Sequence, residues 1–334
     1  MHPLDNRLSR RGFLTGLAAA GAAGTLAACG YQDDPSSAPS GATWTFTDDR
    51  GRALNGPRPA RIVAEVAAAA ALWDFGVRPI GIFGPSKMPD GKPDPQVGSV
   101  DLTAVTSLGN VFGEFNYDKF LSLKPDLLVS VIYQNNDLWY VPQQQADQID
   151  KAAPSVGIRT EKVSTPDAIV KFEALAKQLG ADLDAPAVKQ AKADYEKIDA
   201  EFKKTAKETS KLKVLVVAAQ QDALYVTNPP ALSAAKYLQE QGVNLVVPEK
   251  TDSPGYFQQL SWENANHYPA DVIMYDNRTG SLGPAELAKN PTWSQLPAVK
   301  AGKLLPYNSE TPFSYQKFGA LLQDVTNALK KFSA

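Results

Sequence analysis

The chain has 334 residues, with 34 Lys and Arg against 36 Asp and Glu, one cysteine and two histidines. A net charge of −2 offers no basic field for nucleic acid. A single thiol permits no disulfide framework, and no Cys/His pair has zinc-site spacing.

Residues 9–15 read SRRGFLT and are followed by GLAAAGAAGTLAA, a charged stretch and then an apolar one. The apolar part falls short of the roughly 20 residues that a membrane span takes. Residues 1–28 therefore read as an export signal, set apart from the fold. Ser9-Arg10-Arg11-Gly12-Phe13-Leu14 resembles the twin-arginine export consensus, and Leu26-Ala27-Ala28-Cys29 resembles a bacterial lipobox. The resemblance implies cleavage before Cys29 and a diacylglycerol on its thiol. The sole cysteine then anchors the protein to the lipid bilayer at the extracytoplasmic face, and two acyl chains make such an anchor stable. From Cys29 onward there are 306 residues, 31 basic and 35 acidic side chains, and a net charge of −4. Residues 29–43, rich in Ser, Pro, Gly and Asp, read as a flexible tether.

From Arg61 short apolar strands alternate with helices. RIVA (61–64, ending at Glu65), RPIGIF (78–83), LKPDLLVSVI (123–132) and APSVGI (153–158) read as strands. VAAAAALWDFG (66–76) reads as a helix closed by Gly76. Continuous apolar strands predict a parallel sheet covered on both faces, in a first lobe over 44–164. Thr165-Pro166 reads as an N-cap and a proline in the first turn, with Ile169, Phe172, Leu175 and Leu179 on one face. Val188, Ala191, Tyr195, Ile198 and Phe202 then recur at helical spacing and predict an amphipathic helix over 185–208. At 1.5 Å per residue it is about 36 Å long. Within a helical segment over 165–210, it reads as a rigid strut between lobes. KVLVVAA (213–219), VNLVV (243–247), ADVIMY (270–275) and KLLPY (303–307), with helices at 230–242 and 315–331, predict a second lobe over 211–334.

NYDKFLSLKPDLLVSV (116–131) and SWENANHYPADVIMYD (261–276) share an order of parts. Each has a capping residue (Asn116, Ser261), an aromatic (Tyr117, Trp262), an acid (Asp118, Glu263) and, eight residues after the acid, an Asp that opens a strand. Two matching segments suggest lobes built to one plan.

Catalytic patterns are scarce. Of His2 and His267, the first leaves with the signal, and the second reads as a surface histidine near the end of a helix. There is no nucleophile elbow and no phosphate-cradling glycine loop; the many carboxylates leave a paired-acid hydrolase open. In parallel α/β sheets ligands bind beyond the carboxyl ends of the strands. There the sequence sets Tyr133, Trp139 and Tyr140, then Gln220 and Tyr225, then Asp276, Asn277 and Arg278, then Phe313 and Tyr315. Arg278 stands out, because an arginine directly after a buried strand needs an acceptor.

RIVAEVAAAAALWDFGVRPIGI, EFNYDKFLSLKPDLLVS, the long helix, LSWENANHYPADVIMYD and NPTWSQLPAVKAGKLLPY carry a family resemblance in their order and spacing. The chain resembles the ABC-transporter solute-binding lipoproteins that capture iron–siderophore, haem or cobalamin complexes, in an actinobacterial siderophore-binding form. The resemblance implies an α/β fold of two Rossmann-like lobes with parallel sheets, joined by a single long helix, with the ligand in the cleft between them. It implies a monomeric binder rather than an enzyme, with no cofactor of its own because the metal arrives chelated. The partner it implies is an ABC permease with its ATPase. An acid on each lobe docks against permease arginines: Asp118 and Glu263 match, with Glu114 as the fallback because Asp118 is shorter than the Glu common there. One remaining histidine argues against a bare zinc or manganese site. A metal already wrapped by a chelator needs aromatic walls, hydrogen bonds and an arginine. A ferric siderophore of the hydroxamate class is the expected ligand. Arg278 would bind chelator oxygens, with Tyr133, Trp139, Tyr140, Gln220, Tyr225, Phe313 and Tyr315 around it. Haem and cobalamin come next, and a cell-surface hydrolase using paired carboxylates is the reading outside the family.

Overall fold

The structure is a computed structural model that describes residues 41–333. The predicted export signal, Cys29 and the predicted tether as far as residue 40 lie outside the described residues.

Two short strands come first, β1 (Thr43–Thr47) and β2 (Ala53–Pro57), paired antiparallel. Trp44 and Leu54 turn inward. In the connecting turn the Asp48 carboxylate accepts from the backbone N–H of Arg50 and Arg52, both at 3.0 Å, and from that of Gly157, also at 3.0 Å. This hairpin falls where the sequence predicts only the lobe's beginning, since each strand offers just one or two inward residues to read.

The first sheet contains β3 (Ile62–Glu65), β4 (Gly81–Phe83), β5 (Thr106–Ser107), β6 (Leu127–Ile132) and β7 (Ser155–Arg159), ordered β5-β4-β3-β6-β7 and parallel throughout. Every residue of β3, β4 and β6 is buried, as expected for strands covered on both faces. β4 begins later than predicted; Pro79, just upstream, has no N–H for a ladder. Helix α1 (Val66–Asp74) is enclosed on all sides as far as Leu72, which its alanine-rich sequence allows by letting neighbours approach closely. α2 (Tyr117–Ser122) and α3 (Ala146–Ala152) flank the sheet's later strands.

Two longer helices follow. α4 (Thr165–Gln178) is capped by Ser164, one residue before the predicted cap, its side chain accepting from Asp167 N–H. α5 (Pro186–Glu208) spans 23 residues, in agreement with the predicted helix.

The second sheet is mixed. It holds β8 (Lys213–Ala219), β9 (Ala223–Thr227), β10 (Asn244–Leu245), β11 (Phe257–Ser261), β12 (Val272–Asp276) and β13 (Leu304–Tyr307). The order is β11-β9-β8-β12-β13, with β10 also on β8. β8, β12, β13 and β10 pair in parallel, whereas β9 and β11 are antiparallel additions. The sequence expectation was for parallel strands only. Residues 220–222 explain the difference: Gln220 N–H donates to Ala223 O at 2.9 Å, a tight hairpin, whereas a parallel return needs a dozen or more residues. Around this sheet lie α6 (Ser233–Glu240) and the short helices α7 (Pro284–Leu287), α8 (Pro291–Gln295) and α9 (Pro297–Lys300).

The final helix, α10 (Tyr315–Ser333), packs along α5. Tyr195 of α5 sets its ring 5.5 Å from Tyr315 and 6.2 Å from Phe318. The strut predicted over 185–208 is therefore one member of a helix pair. One apolar core runs through both lobes, joining Leu127 and Val129 of β6 to Phe172, Phe318, Val214 and Val272. Among the described residues no helix is long and apolar enough to cross a membrane.

Candidate functional site

The first sheet reverses its order between β3 and β6, and the second between β8 and β12. The crevice outside the strand ends at such points is where doubly wound sheets bind ligands. Glu65 ends β3 and Tyr133 follows β6; Gln220 follows β8, and Asp276, Asn277 and Arg278 close β12. The two crevices face one seam. Across it Tyr256 donates its hydroxyl to Tyr133 O at 2.6 Å, and Thr279 N–H donates to Asp94 Oδ2 at 2.7 Å.

Arg278 sits in this seam with its side chain 16% exposed. Its guanidinium reaches Asp276 at 2.7 Å and Glu310 at 2.9 Å. The acceptor demanded by an arginine after a buried strand is thus supplied twice. Burial works against its charge, but Asp276 and Glu310 prevail and raise its pKa well above the ordinary value. Glu310 is pushed up by burial despite the Arg278 contact. Burial and the charge of Glu310 likewise raise Tyr133 and Tyr140, so both phenols stay neutral.

An aromatic band crosses the same seam. From one lobe to the other, ring centroids step from Tyr225 to Phe257 (6.2 Å), Tyr256 (6.4 Å), Tyr133 (6.3 Å), Trp139 (5.0 Å), Tyr140 (5.4 Å) and Phe112 (5.8 Å). The loop after β6 is shaped to present its share. Asn135, Asn136 and Tyr140 take φ of 53°, 64° and 61°. Asparagine tolerates that left-handed region, but for tyrosine it is strained. The loop is pinned where Trp139 N–H donates to Val131 O at 2.9 Å and Ser130 Oγ donates to Trp139 O at 2.8 Å. Gly84 makes room for the Tyr140 ring, since a Cβ there would lie 3.2 Å from it. Beside this loop is a cavity of about 260 Å³ lined by Phe112, Trp139 and Tyr140 among others. The Trp139 Nε1–H is buried with no acceptor.

The predicted wall residues divide. Tyr133, Trp139, Tyr140 and Tyr225 join the band. Phe313 and Tyr315 do not: Phe313 stacks on Phe172 at 5.5 Å, and Tyr315 lies edge-on to Phe75 at 5.8 Å while its hydroxyl donates to Glu173 at 2.8 Å. Both belong to the shared core because the chain turns inward after Glu310 to start α10. Gln220 is solvent-exposed in the β8–β9 hairpin, where its backbone carbonyl accepts from Trp262 Nε1–H at 3.2 Å. His267 is exposed, with Nε2 3.6 Å from Glu249. Among the described residues no group of three or more His, Cys, Asp or Glu side chains converges to hold a metal ion.

A family model described as "Periplasmic binding protein" matches residues 63–311, more than half of the chain. The chain belongs to this family. The solved structure of DesE, a ferric-siderophore receptor protein from Streptomyces coelicolor, is 39% identical, with a TM-score of 0.82 over 86% of this chain and 98% of that one. The Fe(3+)-citrate-binding protein YfmC of Bacillus subtilis (strain 168) is 22% identical over 85% of this chain and 84% of its own length. The triscatecholate siderophore binding protein FeuA from Bacillus subtilis, solved with ferri-bacillibactin, shares the fold. Its TM-score is 0.62 at 17% identity, over 86% of this chain and 98% of its own.

In this periplasmic binding protein the paired acids both face solvent. Asp118 lies in the first turn of α2, where Asn116 caps the helix by accepting from Lys119 N–H at 2.9 Å. Glu263 lies in a single 3₁₀ turn, Trp262–Asn264; its own backbone N–H and Ser261 lower its pKa. Glu114 is also exposed and accepts from Asn110 N–H at 3.2 Å. The sequence reading missed Phe112, Tyr256 and Phe257 in the band, and Asp94 and Glu310 among the acids. Only the aromatic pair in GYFQQL carried a local signal; the acids gain meaning from partners far along the chain.

Proposed function

We propose that this protein is the solute-binding component of an ABC importer, capturing a ferric siderophore and passing it to the permease. The observation that carries the reading is the aromatic band running across the interlobe seam beside one buried arginine. Apolar walls with a few placed polar groups suit a chelate whose metal is already satisfied.

The charge of the seam favours a hydroxamate. Arg278 is the cation there, and Asp276 and Glu310 already neutralise it, with Asp94 adding negative charge close by. A ferric trishydroxamate core is electrically neutral. An anionic tricatecholate or citrate complex would bring further negative charge against buried carboxylates, where low dielectric magnifies repulsion. On binding, Arg278 would turn from Glu310 to chelator oxygens. Cys29 would carry the lipid that holds the protein at the outer face of the membrane, and Asp118 and Glu263, with Glu114 in reserve, would meet permease arginines.

Tryptophan fluorescence of the signal-free protein tests the ligand, with Trp139 as the reporter in the band. Ferrioxamine-class chelates should quench at sub-micromolar concentration. Saturation by haem, cobalamin or a ferric tricatecholate, with no response to hydroxamates, would overturn the assignment. Charge reversal at Asp118 and Glu263 together should abolish iron uptake in cells and leave ligand affinity unchanged; lost affinity would place these acids in the cleft or the fold instead.

A further inference from the structure

Glu65 ends β3 at the reversal point of the first sheet. Its residue exposure is 0%. One carboxyl oxygen, Oε2, accepts from Ala67 N–H at 3.0 Å and Ala68 N–H at 3.1 Å, capping α1. The other, Oε1, is buried with no partner. A buried polar atom left unpaired costs about 1–3 kcal/mol, so a fold that retains one invites a use for it. The groups around it are those of the seam. Glu310 acts on Glu65 through its charge, and Glu65 acts in turn on Tyr133 and Tyr140. Glu310 is itself bonded to Arg278, with Asp276 and Asp94 adding negative charge.

Resting on the hydroxamate reading above, we propose that Glu65 is a ligand-recognition residue. It acts as a neutral carboxylic acid that donates a hydrogen bond from Oε1 to a chelator oxygen when the lobes part. With Oε2 held by two N–H donors, Oε1 is the oxygen left to carry the proton. The chelate would then be gripped by a donor from each lobe, Glu65 from the first and Arg278 from the second. This differs from a cap alone, which needs one oxygen acceptor and no proton on the other. Burial, joined by the charge of Glu310, raises the Glu65 pKa to about 8. The donor is thus in place at neutral pH and is lost above it. Tyr133 and Tyr140 are raised further and keep their protons throughout that range.

The experiment is a titration of signal-free wild type, Glu65→Gln, Glu65→Ala and Glu310→Gln with a ferrioxamine-class chelate at pH 6.5 and pH 9.5, with folding followed by circular dichroism. If only the protonated form binds, wild-type affinity should fall about thirtyfold between the two pH values. Glu65→Gln keeps the cap through its carbonyl and supplies a permanent N–H donor, so it should bind at pH 9.5 as the wild type does at pH 6.5. Glu65→Ala should bind about tenfold more weakly at pH 6.5. A slope that persists in Glu65→Gln comes from the chelate or another group and overturns the proposal, as does a slope that vanishes in Glu310→Gln alone. A wild type that binds equally at both pH values overturns the role of Glu65 and leaves the ligand class standing. A wild type that binds no hydroxamate at pH 6.5 overturns the ligand class and this proposal together.

Discussion

Two regions of the molecule are rich in aromatic rings and buried acids, yet they are put together differently. In the shared core Phe313 lies nearly parallel on Phe172, with 10° between ring planes, and the Tyr315 hydroxyl is bonded to Glu173. In the seam Tyr140 holds a left-handed backbone, and Trp139 Nε1 and Glu65 Oε1 are buried without partners. At Tyr315 the core has closed its hydrogen bond within the chain, although Tyr307 Oη, Thr165 Oγ1 and Thr205 Oγ1 elsewhere in it are also buried without partners. The seam keeps strain and unpaired atoms, which is the condition expected of a surface that completes its contacts with something else. The difference lies in the half-buried rings of Trp139 and Tyr140, since Tyr133 is as deeply buried as Phe313 and Tyr315, a division that composition does not reveal.

The sharpest way to break this comparison is to truncate one ring from each region. Phe313→Ala should cost about 3–5 kcal/mol of stability in urea denaturation, while the folded fraction binds ligand with little loss. Trp139→Ala should do the reverse, weakening binding about tenfold or more while costing less stability, since Trp139 is only partly buried. Equal stability losses would erase the distinction.

A smaller effect separates the seam's charges from those of the surface. The Glu65 pKa rises from 4.5 to about 8 in the folded chain. Between those values the native state holds a proton that the unfolded chain has released. The stabilising contribution of the bound proton is therefore whole below about pH 4.5 and is lost as pH rises to about 8. Glu65→Gln should remove this component, melting higher than wild type at pH 8 relative to pH 5. Each kcal/mol of relative gain corresponds to about 2–4 °C. Parallel melting curves for the two proteins across that range would show that the carboxyl is not held neutral.

The smallest expected change is at the seam's own closure. Tyr256→Phe deletes the hydroxyl that donates to Tyr133 O and should cost about 1 kcal/mol. It should also quicken ligand association measured by stopped flow, because one of the bonds holding the rims together is gone. Slower association would mean that the bond shapes the site instead of closing it.

Much of the architecture was readable because its signals are local. IVA, LLVSVI and KVLVVAA are continuous apolar runs, and the structure has β3, β6 and β8 at those places. The three-and-four spacing of Val188, Tyr195 and Phe202 marks the buried face of α5. The β1–β2 hairpin and β11 escaped notice, since each strand is only five residues long and buries one side chain, and β9 escaped because five residues straight after a tight turn show no period, although four of them are buried. Of the site, Arg278 and the aromatic residues after β6 were legible from their position at strand ends. Glu65 was visible only as the last residue of a strand, and nothing beside it in the sequence announces that it is sealed from solvent.

By itself the sequence determined the periodic features: two α/β bodies, one long amphipathic helix, and the places where the main strands end. Tertiary structure alone decided which of those residues face each other. Arg278 meets Glu310 from another loop, and the Tyr256 hydroxyl finds a carbonyl 123 residues away. Phe313 and Tyr315 pack on Phe172 and Phe75, whereas Tyr133, just as buried after its own strand, packs on Tyr256 across the seam. The reason is that hydrophobic period is a property of neighbours along the chain. Burial, pairing and the charge a group carries depend on neighbours in space.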